Sequence, residues 1–234
     1  HITVIADQLP PSDIEQQIDQ LLSKVDHSMS TYKKDSEISR FNRSNVGQQL
    51  EISQEFADVL HISREIWQLS EGAFDPTLGP LVDLWGFGPK ATGDLFPSDQ
   101  DITAALKNTG FDGVVLKGLT LTKNKPVALD LSAVAKGYAV DIVSNYLEMN
   151  ALPDYLVEVG GEIRVSGFNS EGMPWRVAIE QPQLLSSVNK IVGLTDMSIA
   201  TSGDYRNYFE RDGIRYSHTI DPRTGKPIDH NLAS

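Results

Sequence analysis

The stretch Ala128-Leu129-Asp130-Leu131-Ser132-Ala133-Val134-Ala135-Lys136-Gly137-Tyr138 decides the fold, because a strand-like run feeds directly into a helix start. From Ser132 onward, Ala135, Ala139, Ile142, Val143 and Tyr146 recur at helical spacing, which predicts a helix over 132–147. Free N–H groups and the dipole at a helix start attract anions, and Lys136 adds positive charge in the first turn, so a phosphate fits here. On these residues alone, a surface lysine on an amphipathic helix is the more ordinary arrangement.

Upstream, Ser12 and Glu15 have the spacing of a capping box, and Ile14, Ile18, Leu21, Leu22, Val25 and Met29 predict a helix over 13–28. That helix delivers Met29-Ser30-Thr31-Tyr32 and then a polar stretch over 33–44. A second helix begins at Ser53, carries Phe56, Val59, Leu60 and Trp67 on one face, and stops at Gly72. Pro97-Ser98 opens a short helix through Leu106, ended by Gly110; alternating strands follow over 114–131, with Lys123-Asn124-Lys125-Pro126 as their turn. Downstream, strands are predicted over 155–159, 162–165, 175–179, 190–192 and 198–201. Helices come early and strands late, the order of an α+β protein.

The 234 residues carry 32 acidic and 20 basic side chains, a net charge of -12 that repels phosphate backbones and argues against nucleic-acid partners. Any phosphate ester must be held by local groups. The absence of cysteine excludes disulfides, thiolate metal sites and cysteine nucleophiles. No stretch approaches the roughly 20 apolar residues of a membrane span. The chain opens on a strand-like run and stops at His230-Asn231-Leu232-Ala233-Ser234, so the expectation is a chain trimmed at its edges.

Further segments carry chemistry. In the run from Gly72-Ala73-Phe74-Asp75-Pro76-Thr77 to Trp85-Gly86-Phe87-Gly88, glycine and proline force tight turns while Phe74, Trp85 and Phe87 offer flat surfaces for a planar ring. On composition, a loop with core aromatics is the favoured reading of it. Glu158-Val159-Gly160-Gly161-Glu162-Ile163 is a glycine pair between strands, suited to a hairpin or to backbone contact with a ligand. The densest region runs from Ser198 through Asp204 and Arg206 to Tyr216-Ser217-His218-Thr219-Ile220-Asp221-Pro222-Arg223. Histidine is suited to base catalysis near neutral pH, and arginine to charge on phosphoryl oxygens; a polar hairpin with a structural histidine reads equally well. Metalloprotease, nucleophile-elbow, P-loop and dinucleotide-binding signatures are all missing from the sequence.

In this order, and with Met29-Ser30-Thr31-Tyr32 and Ser39-Arg40-Phe41-Asn42 ahead of them, the segments resemble the ApbE family of FAD:protein FMN transferases. The set is specific through Phe74-Asp75-Pro76-Thr77 with Gly79-Pro80-Leu81-Val82, Trp85-Gly86-Phe87-Gly88, Lys136-Gly137-Tyr138 and His218-Thr219-Ile220-Asp221-Pro222. The resemblance implies a single domain over 1–234 of T-fold-like α+β architecture, with an antiparallel sheet and packed helices. It also implies FAD in a groove and Mg2+ beside the pyrophosphate. Met29, Ser30, Thr31, Tyr32, Ala73, Phe74 and Asp75 would line the flavin or adenine pocket. Lys136 would hold phosphate, the backbone carbonyl of Ala133 would ligate the metal, and Gly160, Gly161, Glu162 and Asp112 would add contacts.

His218 matches the family's catalytic histidine. By that resemblance it deprotonates a threonine or serine hydroxyl, which attacks the FMN-side phosphorus while magnesium stabilises the departing AMP. The implied partner is the extracytoplasmic domain of a membrane redox subunit with a Ser/Thr flavinylation motif. The implied location is periplasmic or extracytoplasmic, with a lipid anchor at the inner membrane in the full-length form. Family members continue past the equivalent of Ser234 with a strand and a helix that complete the magnesium site, so the expectation for this chain is poor metal binding and slow transfer. The rivals are an FAD pyrophosphatase of the same fold, yielding FMN and AMP, and a noncatalytic flavin-binding lipoprotein.

Overall fold

The computed structural model describes residues 1–6, 9–88, 96–180, 188–203, 208–211 and 213–228. In chain order the elements are β1 (Ile2–Ile5), α1 (Ile14–Met29), α2 (Glu37–Arg43), β2 (Leu50–Glu51), α3 (Gln54–Leu69), α4 (Gly79–Leu84) and α5 (Asp99–Leu106). A 3-10 turn (Phe111–Gly113) leads to β3 (Val114–Lys117), β4 (Thr120–Lys123), α6 (Ser132–Met149), β5 (Asp154–Val159) and β6 (Glu162–Ser166). The last are β7 (Trp175–Glu180), β8 (Val188–Leu194), β9 (Met197–Ile199), β10 (Tyr208–Arg211) and β11 (Ile214–Ser217). Every strand pair among the described residues is antiparallel, as an α+β protein requires.

The chain divides into two compact units, one built from His1–Lys24 and Ala135–Tyr205, the other from Val25–Val134 and Arg206–Leu232. In the first, a sheet of order β1-β5-β6-β9 is read through registers such as Val4 opposite Tyr155 and Leu156 opposite Val165. Ile18, Val140, Val143, Leu147, Leu152, Tyr155 and Val157 form its core, so the 3.6-residue period of α6 meets the two-residue period of β5. β7 and β8 make a separate ribbon with an irregularity at Ile179/Glu180.

In the second unit, Ser53 and Ser98 cap α3 and α5 through their hydroxyls, and Ser98 with Asp101 completes a reciprocal capping box. β2, β4 and β3 form a small sheet, and β10 pairs with β11. Leu81, Trp85, Ile102 and Ile220 form one core cluster.

Four local expectations need correction. The polar stretch over 33–44 contains α2, which Ser36 caps and whose buried Glu37 accepts both donors of Ser53, at 2.6 and 2.5 Å. The glycine- and proline-rich loop contains α4, with proline in its first turn, where no backbone donor is required. The strand turn falls at Gly118, whose φ of 58° suits glycine, instead of at Lys123-Asn124-Lys125-Pro126. Finally, 127–131 belongs to no strand and is held by side chains, as described below.

Candidate functional site

A cleft of about 690 Å³ lies in the second unit, lined by Thr31, Tyr32, Lys34, Ser39, Asn42, Arg43, Gly79, Val82, Asp83, Ala128, Leu129 and Asp130. The turn after α1 brings the first of these in: Ser36 Oγ donates to the Ser30 and Lys33 carbonyls at 2.7 and 2.9 Å, and Tyr32 N–H donates to Ser30 Oγ at 3.3 Å. Tyr32 is consequently 82% exposed on the cleft rim, while Met29 is buried in the core. Thr31 and Tyr32 thus line the cavity, and Met29 and Ser30 do not.

Asp130 forms the far wall. Its N–H donates to the Pro76 carbonyl at 2.7 Å, and its Oδ1 accepts from Ser132 N–H at 2.9 Å and Ser132 Oγ at 2.5 Å. A carboxylate therefore sits at the start of α6, satisfying a donor that helix geometry leaves open. Ala133 is exposed in the first helical turn. Among the described residues, no group of three or more carboxylates or imidazoles is assembled to hold a metal.

Ala73, Phe74 and Asp75 do not line this cleft. Phe74 N–H donates to Ser70 Oγ at 3.0 Å, and Asp75 Oδ1 accepts from Thr77 N–H and Oγ1 at 2.8 and 2.6 Å, which shapes the turn before α4. Asp112 is ion-paired to Lys125 at 2.9 Å, away from the cleft.

In the first unit, Lys136, Gly160, Gly161 and Glu162 come together. Lys136 Nζ donates to Glu162 Oε1 at 2.7 Å and to the Gly160 carbonyl at 3.3 Å. Gly160 has φ of 62°, and a Cβ there would lie 2.8 Å from Lys136 Cδ, so the lysine stem passes where any other residue would project. Glu162 Oε2 is buried and has no hydrogen-bond partner.

His218 follows β11 directly, in the second unit. The loop after it is fixed at several points: Gly225 N–H and Arg223 N–H donate to the Asp221 carbonyl and Oδ1 at 2.8 Å each, and Trp85 Nε1–H donates to the Gly225 carbonyl at 2.8 Å. Lys226 pairs with Asp99 at 2.8 Å and holds that carboxyl below its usual range, through a hydrogen bond first and charge second. The His218 ring meets Phe87 edge-on at 6.3 Å; Phe87 stacks on Phe209, Phe209 on Tyr216, and Tyr216 on Trp85. With Trp85 only 4% exposed, two of the three motif aromatics brace the histidine loop, and Trp85 belongs to the core. Asp204 and Arg206 lie outside the described residues.

Local sequence marks Lys123 as a turn residue and Asn42 as part of a motif, and neither as part of a site. Lys123 is 4% exposed, and burial pushes its ammonium below the usual lysine value. No local pattern signals this, because its partners come from distant segments.

Comparison with known proteins gives these residues a context. The FAD:protein FMN transferase of Vibrio cholerae is 48% identical over 223 residues, which cover 94% of this chain and 67% of that protein. The FAD:protein FMN transferase of Haemophilus influenzae is 45% identical over 227 residues, covering 94% of this chain and 66% of that protein. The solved structure of the flavin transferase ApbE from Vibrio cholerae matches with a TM-score of 0.90 at 43% identity, over 99% of this chain and 75% of that one. The chain spans about two thirds of the length of the curated relatives it matches. The model of the ApbE family matches residues 1–234, and with a cleft at Thr31-Tyr32 and a braced His218 in place, this chain belongs to the ApbE family.

Proposed function

We propose that this protein transfers the FMN half of FAD to a threonine or serine hydroxyl of an acceptor protein and releases AMP. The observation that carries the reading is the family match along the whole chain, to relatives that are named FAD:protein FMN transferases. The base is His218: its imidazole takes the hydroxyl proton, the acceptor oxygen forms a bond to the FMN-side phosphorus, and the bond from that phosphorus to the AMP phosphate breaks. The rings of Phe87 and Phe209 support this role by fixing the loop that carries the histidine.

In the second unit, Tyr32 and Thr31 offer an aromatic face and a hydroxyl to one end of the nucleotide. In the first, Lys136 carries a charge suited to phosphate. The acceptor is the extracytoplasmic domain of a membrane redox subunit with a Ser/Thr flavinylation motif. The full-length form works outside the cytoplasm from an inner-membrane lipid anchor; no helix among the described residues is long and apolar enough to cross a membrane. Magnesium, when bound, would neutralise charge on the leaving phosphate. No three carboxylates or imidazoles stand together among the described residues, and the ligand the family resemblance offers is the backbone carbonyl of Ala133, in the exposed first turn of α6.

The test is incubation of the full-length protein with FAD, Mg2+ and a candidate acceptor, reading AMP release and FMN fluorescence on the acceptor band. Acceptor-dependent AMP is the expected result, and acceptor-independent AMP would make the protein a pyrophosphatase. A His218→Ala variant is expected to transfer about 100- to 10,000-fold more slowly while still binding FAD. A variant that transfers at the wild-type rate would remove His218 as the base.

A further inference from the structure

We propose that Lys123 and Asn42 are positioning residues that together clamp the far wall of the cleft, the segment Ala128-Leu129-Asp130, against the end of α2. The inference rests on the reading of that cleft as part of the flavin-nucleotide site.

An ammonium has three donors, and Lys123 spends all of them on backbone carbonyls: Phe41 at 3.1 Å, Asn42 at 3.2 Å and Val127 at 3.1 Å. Phe41 and Asn42 lie in the last turn of α2, where the Phe41 carbonyl also accepts from Ser44 N–H and Oγ at 3.0 and 2.8 Å, and Lys123 supplies a donor to the Asn42 carbonyl, which lies too near the helix end for an intrahelical partner. The Phe41 ring also lies 5.0 Å from the ammonium. One buried cation thus joins a helix end to the chain just ahead of the cleft wall. Burying a charge is costly, and a nonpolar side chain of similar volume would fill the same space at no such cost, so filling space does not account for a lysine here.

Asn42 makes the second half of the clamp. Its Nδ2 donates to the Leu129 carbonyl at 2.9 Å and its Oδ1 accepts from Leu129 N–H at 2.7 Å, so one side-chain amide satisfies both backbone groups of Leu129. This is the pairing a neighbouring strand would supply, and it satisfies the backbone of Leu129 outside any sheet. With the hydrogen bond from Asp130 N–H to Pro76 added, the wall is anchored on both sides of Leu129. Asn42 and Leu129 themselves line the cleft, so a shift of the clamp changes the cavity directly.

The test uses the full-length protein carrying Lys123→Met or Asn42→Ala. Three quantities are read: FAD binding by flavin fluorescence, steady-state transfer to an acceptor, and amide hydrogen exchange resolved at Leu129. The expected result is a rise of about tenfold in KM for FAD with kcat within about threefold, because a displaced wall weakens binding more than the chemical step. The Leu129 amide should also lose protection while α3 keeps its own. An unchanged KM with an unprotected Leu129 would overturn the proposal, since the clamp would then hold the fold without shaping the site. A Leu129 amide as protected as in the wild type in both variants would overturn it as well. If Lys123→Met does not fold, Asn42→Ala, which removes both the donor to the Leu129 carbonyl and the acceptor of its N–H, decides the outcome by the same two readouts. Wild-type protein that binds no FAD would sink the flavin reading and this assignment with it, a result visible before any variant is compared.

Discussion

Two lysines thirteen positions apart meet opposite environments. Lys136, in the first unit, has a side chain 47% exposed and paired with the carboxylate of Glu162. Lys123, in the second, is 4% exposed and bonded to three carbonyls. The Lys136 end of its pair is open to water, which can solvate the ammonium when the pair parts, while the Glu162 side chain is only 17% exposed. The charge of Lys136 can therefore turn to a phosphate, at the cost of leaving the Glu162 carboxylate without its cation. The charge of Lys123 has no such freedom, since the Asn42 and Val127 carbonyls would lose the donor it supplies. Of two identical side chains, one is suited to ligand binding and the other to holding a wall.

The largest effect expected from breaking this contrast is at Lys123. Lys123→Met should lower the free energy of unfolding by about 3 kcal/mol, from the Asn42 and Val127 carbonyls that lose their donor, as read from denaturant melts. Lys136→Met should lower stability by less than Lys123→Met, because its ammonium is half-exposed, yet weaken FAD binding about tenfold in a flavin fluorescence titration. If Lys136→Met proved the more destabilising of the two, the contrast would be reversed.

The smallest effect is confined to alkaline pH and concerns a buried polar group of the first unit. Tyr155 is fully buried, and its hydroxyl donates to Glu148 Oε1 at 2.6 Å. Burial first and that hydrogen bond second push its phenol up to about 12 from the usual 10.0. The unfolded chain loses this proton first, so the contribution of Tyr155 is fully present below pH 10.0 and is lost as pH rises through about 12. Tyr155→Phe should flatten that part of the stability profile, checked by thermal melts across the alkaline range. A profile of unchanged slope would mean that Tyr155 does not govern it.

Helices with a local start signal were legible. Ser53 and Ser98 cap the helices predicted from them, because a capping hydroxyl acts within three residues. α2 was not legible, since seven residues are too few to display a period, and Glu37 is buried only because Ser53 supplies its donors. Lys123 read as a turn residue because lysine next to asparagine and proline has that local character. Its burial depends on carbonyls at Phe41 and Val127, one of them 82 positions away. The aromatic run was legible as core, and Trp85 is there, yet its stacking on Tyr216 depends on the β10–β11 hairpin.

What the sequence by itself determined is the α+β class, the helix from Ser132, the family resemblance and the candidacy of His218, since caps, periods and ordered motifs are properties of short or ordered segments. Tertiary structure alone decided that Ala128-Leu129-Asp130 would be a cleft wall held by side chains instead of a third strand. The physical reason is that a backbone group must find a partner somewhere, and which distant donor reaches it is settled only when the chain has folded.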